Sequence, residues 1–366
     1  MSILKDKSID YILIFAVLAL LTIGIIMIFS ASSVRGENLF NDSYHFLKRQ
    51  LIFALIGLIL MIIFMNVDYH IFEKYAKFIM LIAILLLLIV LIPGIGRKVG
   101  GSRRWLGIGF LGGQPSEIAK LALIMYIAQF YTRKDDLINN FKKGILPILI
   151  VTGVIFGLIL FEPDLGTGAL ILAITFVMLF ANGAKLSHLA FLALIGIPGI
   201  IFFIFSEPYR KERFLAFLNP WADPLDTGYH IIQSLLALGS GGLFGVGLGN
   251  SHQKFLYLPE PGTDFIFAII GEELGLLATL LVILLYLVIA WKGLKISYNT
   301  NDRFGSILAM GITILIVGQA MLNIAVVTSS IPITGITLPF ISYGGSSLVM
   351  FLFSIGILLN ISKNNS

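Results

Sequence analysis

Asp264 is the carboxylate of this sequence best placed to do chemistry. It lies in GTDF at 262–265, where a long polar stretch gives way to a run of apolar residues. A carboxylate at such a boundary between water and an apolar environment can act as a general base, because partial burial raises its pKa while nearby cations lower it. The alternative is structural, since Thr263 or Asp264 also suits the cap of the following helix. Taken alone, the position favours the cap.

A second charged pair stands at the start of another apolar run, in QPSEIAK at 114–120. The proline suits the first turn of a helix, and Glu117 suits its positive N-terminal end. Glu117 and Lys120 are three residues apart, so they share one face of the helix and can form an ion pair. Such a pair either joins helices or forms one wall of a polar site with Arg103 and Arg104, just upstream.

The adjacent carboxylates Glu272 and Glu273 have a structural interpretation. On a helix, Glu272 lies about 80° around and about 12 Å along from Asp264, and Glu273 lies on the opposite face. Neither therefore forms a close, glycosidase-type carboxylate pair with Asp264. We expect at least one of them to bond polar residues of the next span, such as Gln319 or Asn323.

The remaining sequence features do not indicate a metal site, a thiol site or a serine nucleophile. In EPDLGTG at 162–168, Asp164 predicts a helix start with a structural role. The five histidines are scattered without metal-ligand spacing, and no nucleophile elbow is visible. The chain contains no cysteine, which excludes disulfides and thiolate chemistry.

Charged residues stand out here because they are rare. Of the 366 residues, 58% are hydrophobic and only 12% are charged, about half the charged share of an ordinary soluble chain. The net charge of +5 is small, and the basic residues lie between apolar runs, so it does not indicate nucleic-acid binding. The composition predicts an integral membrane protein.

The apolar runs predict an all-α, polytopic membrane protein in a single domain over 1–366. About 20 mostly apolar residues cross a bilayer as a helix, and these runs are too long and too uniform for strands. The first run follows Lys5 and Lys7 like a signal peptide, but it is too long for one and is expected to be retained. The ten predicted spans are 9–30, 47–65, 78–95, 116–131, 145–161, 165–182, 186–205, 263–291, 304–328 and 339–360.

The lysines and arginines of the loops predict cytoplasmic N- and C-termini, because about half of the 25 basic residues then lie in the cytoplasm. Several others remain on the outer side and suggest an anionic partner there. Pairing with local acids or lipid head groups is the alternative. These outer cations are Arg97, Lys98, Arg103 and Arg104 in one short loop, and Arg210, Lys211, Arg213 and Lys254 in the large loop.

The large outer loop, about 206–262, is the only sizeable segment outside the predicted spans. Residues 228–238 predict a short helix that lies in the membrane interface. The glycine-rich run from Gly239 to Gly249 lacks the Gly-Lys-Ser/Thr ending of a phosphate loop, so a tightly packed turn is the better interpretation.

Taken together, these segments resemble the shape, elongation, division and sporulation family (FtsW, RodA and SpoVE), and the resemblance extends over nearly the whole chain. The run from Gly239 to Gly275 is closer to the FtsW/SpoVE branch than to RodA. One departure is Gly262, where the family motif often carries His or Asn. The matching segments are GSRRW at 101–105, QPSEIAKL at 114–121, EPDLGTG at 162–168, NPWADPLDTGYHIIQS at 219–234, GSGGLFGVGLGNSHQKFLYLPEPGTDFIFAIIGEELG at 239–275 and GITLPFISYGGSS at 335–347.

The resemblance implies a peptidoglycan glycosyltransferase that polymerises lipid II at the outer face of the cytoplasmic membrane. It also implies that Asp264 is the catalytic base of an inverting reaction that releases undecaprenyl diphosphate. It leaves room for a divalent cation, Mg²⁺ or Mn²⁺, on the diphosphate. It also implies a class B penicillin-binding protein and other divisome or elongasome membrane proteins as partners. The residues expected to bind the substrate are Arg103, Arg104, Glu117, Lys120, Arg210, Arg213 and Lys254.

Two other functions remain open from the sequence. A lipid II flippase would need charged groups along a route through the membrane, whereas the charges here gather at the outer end. A non-catalytic scaffold that recruits a penicillin-binding protein would not need Asp264. Whether division, elongation or sporulation is served does not follow from the sequence.

Overall fold

The computed structural model describes residues 9–99, 102–108, 111–134, 137–254, 258 and 261–365. Lys5 and Lys7, which the orientation argument used, lie outside the described residues, as do parts of the large loop at 255–257 and 259–260. The described helices are α1 (Tyr11–Phe40), α2 (His45–Asn66), α3 (His70–Leu91), α4 (Pro115–Arg133), α5 (Leu146–Phe161), α6 (Leu165–Ala181), α7 (Leu186–Phe205), α8 (Pro208–Leu218), α9 (Tyr229–Ser240), α10 (Ile266–Asn299), α11 (Arg303–Val327) and α12 (Gly345–Asn365).

The predicted helical membrane fold is confirmed. Each of the ten predicted spans overlaps one of α1–α7 or α10–α12. Eight helices in the described part of the chain are long and apolar enough to cross a membrane, and α6 is a shorter apolar helix. The most apolar part of α12 is 67% buried, whereas that of α7 is 6% buried. The core therefore lies around α12, and α7 is peripheral.

The spans run up and down between two ends of a bundle. At one end, Lys292 Nζ of α10 lies 3.0 Å from Asp10 Oδ2 before α1, and Asn360 near the end of α12 accepts a hydrogen bond from Tyr69 N at 3.1 Å. We call this the terminal end. The connections 41–44, 92–114, 162–164, 206–265 and 328–344 lie at the other end, which we call the loop end.

A small antiparallel sheet at the loop end was not predicted. Strands β1 (Arg97–Val99), β2 (Ser102–Ile108) and β3 (Leu111–Gly113) pair in the order β1-β2-β3. Neighbouring side chains on a strand point to opposite faces, so Arg103 and Arg104 of β2 diverge. These short strands add to an otherwise helical chain and do not alter its class.

The large loop contains α8, which was not predicted, and α9, which confirms the short helix predicted at 228–238. Helix α9 buries Ile231, Ile232 and Ala237, and its Ser234 Oγ donates a 2.8 Å hydrogen bond to Val327 O at the end of α11. Helix α9 is therefore fixed to the loop end of the bundle.

The glycine-rich run forms the tight turn expected, and it packs against a break in α10 that the sequence did not predict. Val246 N donates to Glu272 O at 2.9 Å, and Leu276 N donates to Gly242 O at 2.9 Å. Between those two contacts, Gly275 has φ 76° and ψ −172°, which interrupts the helix. A side chain at Gly275 would overlap Gly245 N and Leu243 O, so only glycine fits.

We expect Gly275→Ala to lower the free energy of unfolding by about 3 kcal/mol, because backbone strain and overlap act together. Thermal unfolding of the purified protein in detergent measures the loss. Gly318→Ala is the matched control, since a Cβ at that position of α11 meets nothing within 4 Å. Equal melting temperatures for the two variants would contradict the role given to the break.

Candidate functional site

Asp264 does not cap α10. The helix begins at Ile266, and its N-cap residue is Phe265, which makes no side-chain cap hydrogen bond. The prediction that Thr263 or Asp264 caps this helix is therefore wrong. Asp264 is partly exposed at the loop end, so its carboxylate meets the general requirement of a base that a substrate can reach.

The backbone around Asp264 is held by a segment at 336–343, just before α12. Asn323, which is 1% exposed, donates from Nδ2 to Asp264 O at 2.8 Å and to Ile336 O at 2.7 Å. Ser342 Oγ donates to Thr263 O at 2.6 Å, and Tyr343 N donates to Gly262 O at 2.8 Å. These bonds fix the position of the carboxylate without involving it.

Gly335 borders one side of the Asp264 carboxylate. It is exposed, has φ 72°, and a Cβ there would lie 3.5 Å from Asp264 Oδ2. The preceding Thr334 packs so closely on Gly166 that a Cβ on that glycine would overlap it. Residues 334–335 thus lie between Asp264 and the start of α6.

Arg213 of α8 faces the site. Its guanidinium lies 4.3 Å from the centre of the Tyr209 ring. Burial lowers the pKa of Arg213. The nearby Tyr209 and Asp264 oppose that change, whereas Arg104 adds to it. Arg213 is therefore within electrostatic reach of both Asp264 and Arg104, and an arginine remains a cation in such surroundings.

Arg104 is bound to the turn between α5 and α6. Its guanidinium donates to Asp164 Oδ2 at 3.3 Å, to Glu162 O at 3.2 Å and to Ser102 Oγ at 2.9 Å. Pairing with a local acid, the alternative left open for the outer cations, thus applies to Arg104. Asp164 also accepts from Thr167 N at 3.0 Å, which confirms it as the start of α6.

Glu162, in the same turn, is fully buried, and neither of its carboxylate oxygens has a hydrogen-bond partner among the described residues. Burial, and to a lesser extent Asp164, raise the pKa of Glu162 and Arg104 opposes them, so that its pKa is about 8. Glu162 is therefore mostly protonated at neutral pH and adds little charge to this end of the bundle.

Glu117 and Lys120 form the expected ion pair. Lys120 Nζ lies 2.9 Å from Glu117 Oε1 and 2.7 Å from Gln319 Oε1 of α11, and it lies 5.6 Å from the centre of the Phe351 ring. Gln319 Nε2 in turn donates to Thr337 O at 3.0 Å. The pair joins three helices and supports the 336–343 segment.

Glu272 and Glu273 do not bond Gln319 or Asn323, so that prediction is wrong. Glu272 accepts from His252 N at 2.9 Å, and Glu273 accepts from Ser30 Oγ of α1 at 2.7 Å. Lys254, predicted to bind substrate, is 6% exposed and pairs with Glu273 at 3.0 Å. We refer to Ser30, Ser251, Lys254, Glu272 and Glu273 as the buried charge cluster.

The structure shows local contacts for two further cations that were predicted to bind substrate. Arg210 donates from Nη1 to Phe203 O at 3.3 Å, near the end of α7. Arg103 lies on β2, where it pairs across the sheet with Lys98. No group of three His, Cys, Asp or Glu side chains that could hold a metal occurs among the residues that the structure describes, so a cation carried by a diphosphate stays a prediction.

Asn323, Gly335 and His230 are site residues that the sequence did not single out for this role. Asn323 is a polar residue within a span, but the sequence does not specify which neighbour it bonds. Gly335 lies before a proline-containing segment and resembles any loop glycine. His230 stacks on Phe265, with ring centres 6.2 Å apart and planes 7° apart.

The fold and the site define a multi-pass helical membrane protein in which a partly exposed carboxylate and arginine cations meet at one end of the bundle. The family model described as Cell cycle protein, which covers FtsW, RodA and SpoVE, matches residues 11–366, and the chain belongs to this family.

Relatives and solved structures agree along the full length. Stage V sporulation protein E of Bacillus subtilis is 50% identical over 98% of both chains. A protein of Geobacter sp. (strain M18) named probable peptidoglycan glycosyltransferase FtsW is 44% identical over 98% of both. A chain of a peptidoglycan synthase complex that coordinates polymerization and crosslinking has a TM-score of 0.80 at 25% identity. Rod shape determining protein RodA of Thermus thermophilus has a TM-score of 0.69 at 26% identity. Both structures cover 98% of this chain and are covered to 98% themselves.

Proposed function

We propose that this chain is a peptidoglycan glycosyltransferase that polymerises lipid II into β-1,4 glycan strands. The single observation that carries the mechanism is the placement of Asp264, which is partly exposed, does not cap its helix and lies within electrostatic reach of Arg213. The names of the FtsW relatives support the activity.

The reaction assigns Asp264 as the general base. Its carboxylate accepts the proton of the acceptor sugar 4-hydroxyl as that oxygen attacks the anomeric carbon of the donor. The bond from the anomeric carbon to the diphosphate oxygen breaks, and undecaprenyl diphosphate leaves with the bonding electrons. The change from an α-linked diphosphate to a β-linked glycan is one inversion, so no covalent enzyme intermediate is needed.

Arg213 is the cation best placed to offset the negative charge that develops on the departing diphosphate. Arg103 and Arg210 are proposed to hold the more distant part of this group. Arg104 and the Glu117–Lys120 pair are proposed to stabilise the structure around the site, because each is bound to neighbouring protein groups. A Mg²⁺ or Mn²⁺ ion would be held mainly by the diphosphate itself.

The loop end is proposed to face outward from the cytoplasmic membrane, with both termini in the cytoplasm. The lysines and arginines of the terminal-end connections, about half of the 25 in the chain, support this orientation, because a loop as long as the large loop is largely exempt from the charge rule. We further propose a class B penicillin-binding protein as the partner that crosslinks the strands. The similarity to a chain of a peptidoglycan synthase complex supports such a pairing.

The decisive experiment incubates the purified protein with lipid II in detergent, with and without a class B penicillin-binding protein, and separates glycan strands on a gel. Detergent removes the bilayer that a flippase would need, so strands made there require polymerase activity. A scaffold would give none beyond the partner's own product. No strands from the wild-type protein under either condition would overturn the proposal.

Lys120→Met should reduce turnover more than Lys292→Met. Both lysines are buried and paired with a carboxylate, but Lys120 supports the segment beside Asp264 while Lys292 lies toward the terminal end. We expect a loss of about tenfold or more for Lys120→Met, because Glu117 is left without its cation. Rates of strand formation, normalised to folded protein, give the comparison. Equal losses would mean that Lys120 has no special connection to the site.

A further inference from the structure

His230 carries a buried ring nitrogen that the described part of the chain leaves unsatisfied. Its Nδ1 atom is inaccessible to solvent and has no hydrogen-bond partner there. Buried polar atoms in folded proteins are nearly always paired, so this unpaired nitrogen calls for a partner such as a water, an ion or a bound molecule. No role for His230 follows from the mechanism above.

The histidine ring is held rigidly next to the base. His230 lies in the first turn of α9, which Ser234 fixes to Val327 of α11. Its ring stacks nearly parallel on Phe265, a residue that is 4% exposed and directly follows Asp264. The position of the nitrogen is therefore set by the same short segment that sets the carboxylate.

The charges around His230 determine what its nitrogen can bind. Burial lowers the pKa of His230, Arg213 lowers it further, and Asp226 opposes these effects. The imidazole is therefore neutral at neutral pH. A neutral ring is a weak partner for a diphosphate, for which Arg213 is nearby, but it suits an uncharged hydroxyl or amide.

We propose that Nδ1 of His230 forms a hydrogen bond with a hydroxyl or acetamido group of a lipid II sugar, not with its diphosphate. The proposal rests on the proposed function and adds a sugar-binding residue to the same site. Because His230 stacks on Phe265, the residue directly after Asp264, the sugar bonded by His230 lies next to the reacting groups.

Three substitutions distinguish the contribution of the Nδ1 atom of His230 from that of its aromatic ring. His230→Phe keeps an aromatic ring on Phe265 and removes Nδ1, His230→Asn places an amide near the Nδ1 position, and His230→Gln places one near Nε2. We expect His230→Phe and His230→Gln to raise KM for lipid II about threefold to tenfold with kcat within about twofold, as expected for one neutral hydrogen bond. His230→Asn should stay within about twofold of wild type.

His188→Phe is the matched control. Its Nδ1 is also buried without a partner in the described chain, and its ring packs edge-to-face on Phe141 at 5.4 Å, but it lies at the terminal end. We expect an unchanged KM for this variant. The comparison of His230→Asn with His230→Gln keeps the test decisive even if phenylalanine disturbs α9.

Equilibrium binding shows which part of the substrate is recognised. His230→Phe should weaken binding of lipid II and leave binding of undecaprenyl diphosphate, which has no sugars, unchanged. Equal weakening of both, an unchanged KM, or a better result for Gln than for Asn would overturn the inference. An active wild-type protein with unaffected His230 variants rejects only this inference, whereas a wild-type protein that neither binds nor polymerises lipid II rejects the proposed function itself.

Discussion

Asp264→Asn is expected to abolish glycan polymerisation while the protein still folds and inserts into membranes. Asparagine has the same shape as aspartate but cannot accept the proton of the acceptor hydroxyl, and general base catalysis contributes about 10²- to 10⁴-fold to a rate. The bonds that fix this segment are made by the backbone, from Asn323 to Asp264 O and from Tyr343 to Gly262 O, so the substitution leaves them in place.

The measurement is the initial rate of strand formation from lipid II in detergent, together with the melting temperature. Asp42→Asn serves as the control, because Asp42 is another loop-end aspartate whose ion pair with Lys48 is solvent-exposed. Asp264→Glu should retain partial activity, since it keeps a carboxylate but moves it outward. Wild-type polymerisation by folded Asp264→Asn would refute the assignment of the base.

The helices were predictable because hydrophobic length is a local property. A run of about 20 apolar residues must cross the membrane as a helix whatever surrounds it, and each of the ten predicted spans overlaps a helix. The shorter elements have no such signal. Helix α8 carries charged and apolar residues in a segment that resembles a polar loop, and β1–β3 lie in a glycine-rich connection.

The break at Gly275 could not be predicted from its own surroundings. The sequence around it is continuously helical in character, and the interruption exists because Leu243 and Gly245 pack against that position from the preceding turn. A contact between segments about 30 residues apart thus decides the local backbone. The glycine run predicted a tight turn, but not the element that the turn would deform.

In the candidate site, too, the sequence identified which residues take part but not which groups they bond. Chemistry and position along the chain, together with the family resemblance, identified Asp264, Arg213 and Arg104 as site candidates. They did not show that Arg104 binds Asp164, 60 residues away, nor that Asn323 supports the backbone of Asp264 and leaves Glu273 to other groups. Such pairings depend on the relative depth and rotation of helices, which a single sequence leaves open.

Lys254→Met is expected to lower the free energy of unfolding by about 3–5 kcal/mol, because it leaves a buried carboxylate without its cation. Lys254 and Glu273 have side-chain exposures of 4% and 0%, and Glu272 beside them is 1% exposed. Breaking this pair also releases Ser30 of α1, which bonds both partners. The loss therefore loosens α1, α10 and the 251–254 turn together.

Thermal unfolding in detergent measures this effect, and Lys48→Met is the matched control. Lys48 also pairs with a carboxylate at the loop end, at 2.8 Å, but its side chain is 64% exposed, so its removal should change the unfolding free energy by less than about 1 kcal/mol. The double variant Lys254→Met/Glu273→Gln should recover part of the loss, since it removes both charges.

Kinetics then separates the framework role of Lys254 from the substrate-binding role that its position in the sequence suggested. A lysine within the buried charge cluster should affect the amount of folded enzyme, with KM for lipid II within about twofold of wild type in the folded fraction. A large rise in KM without loss of stability would show instead that Lys254 leaves Glu273 and binds the diphosphate.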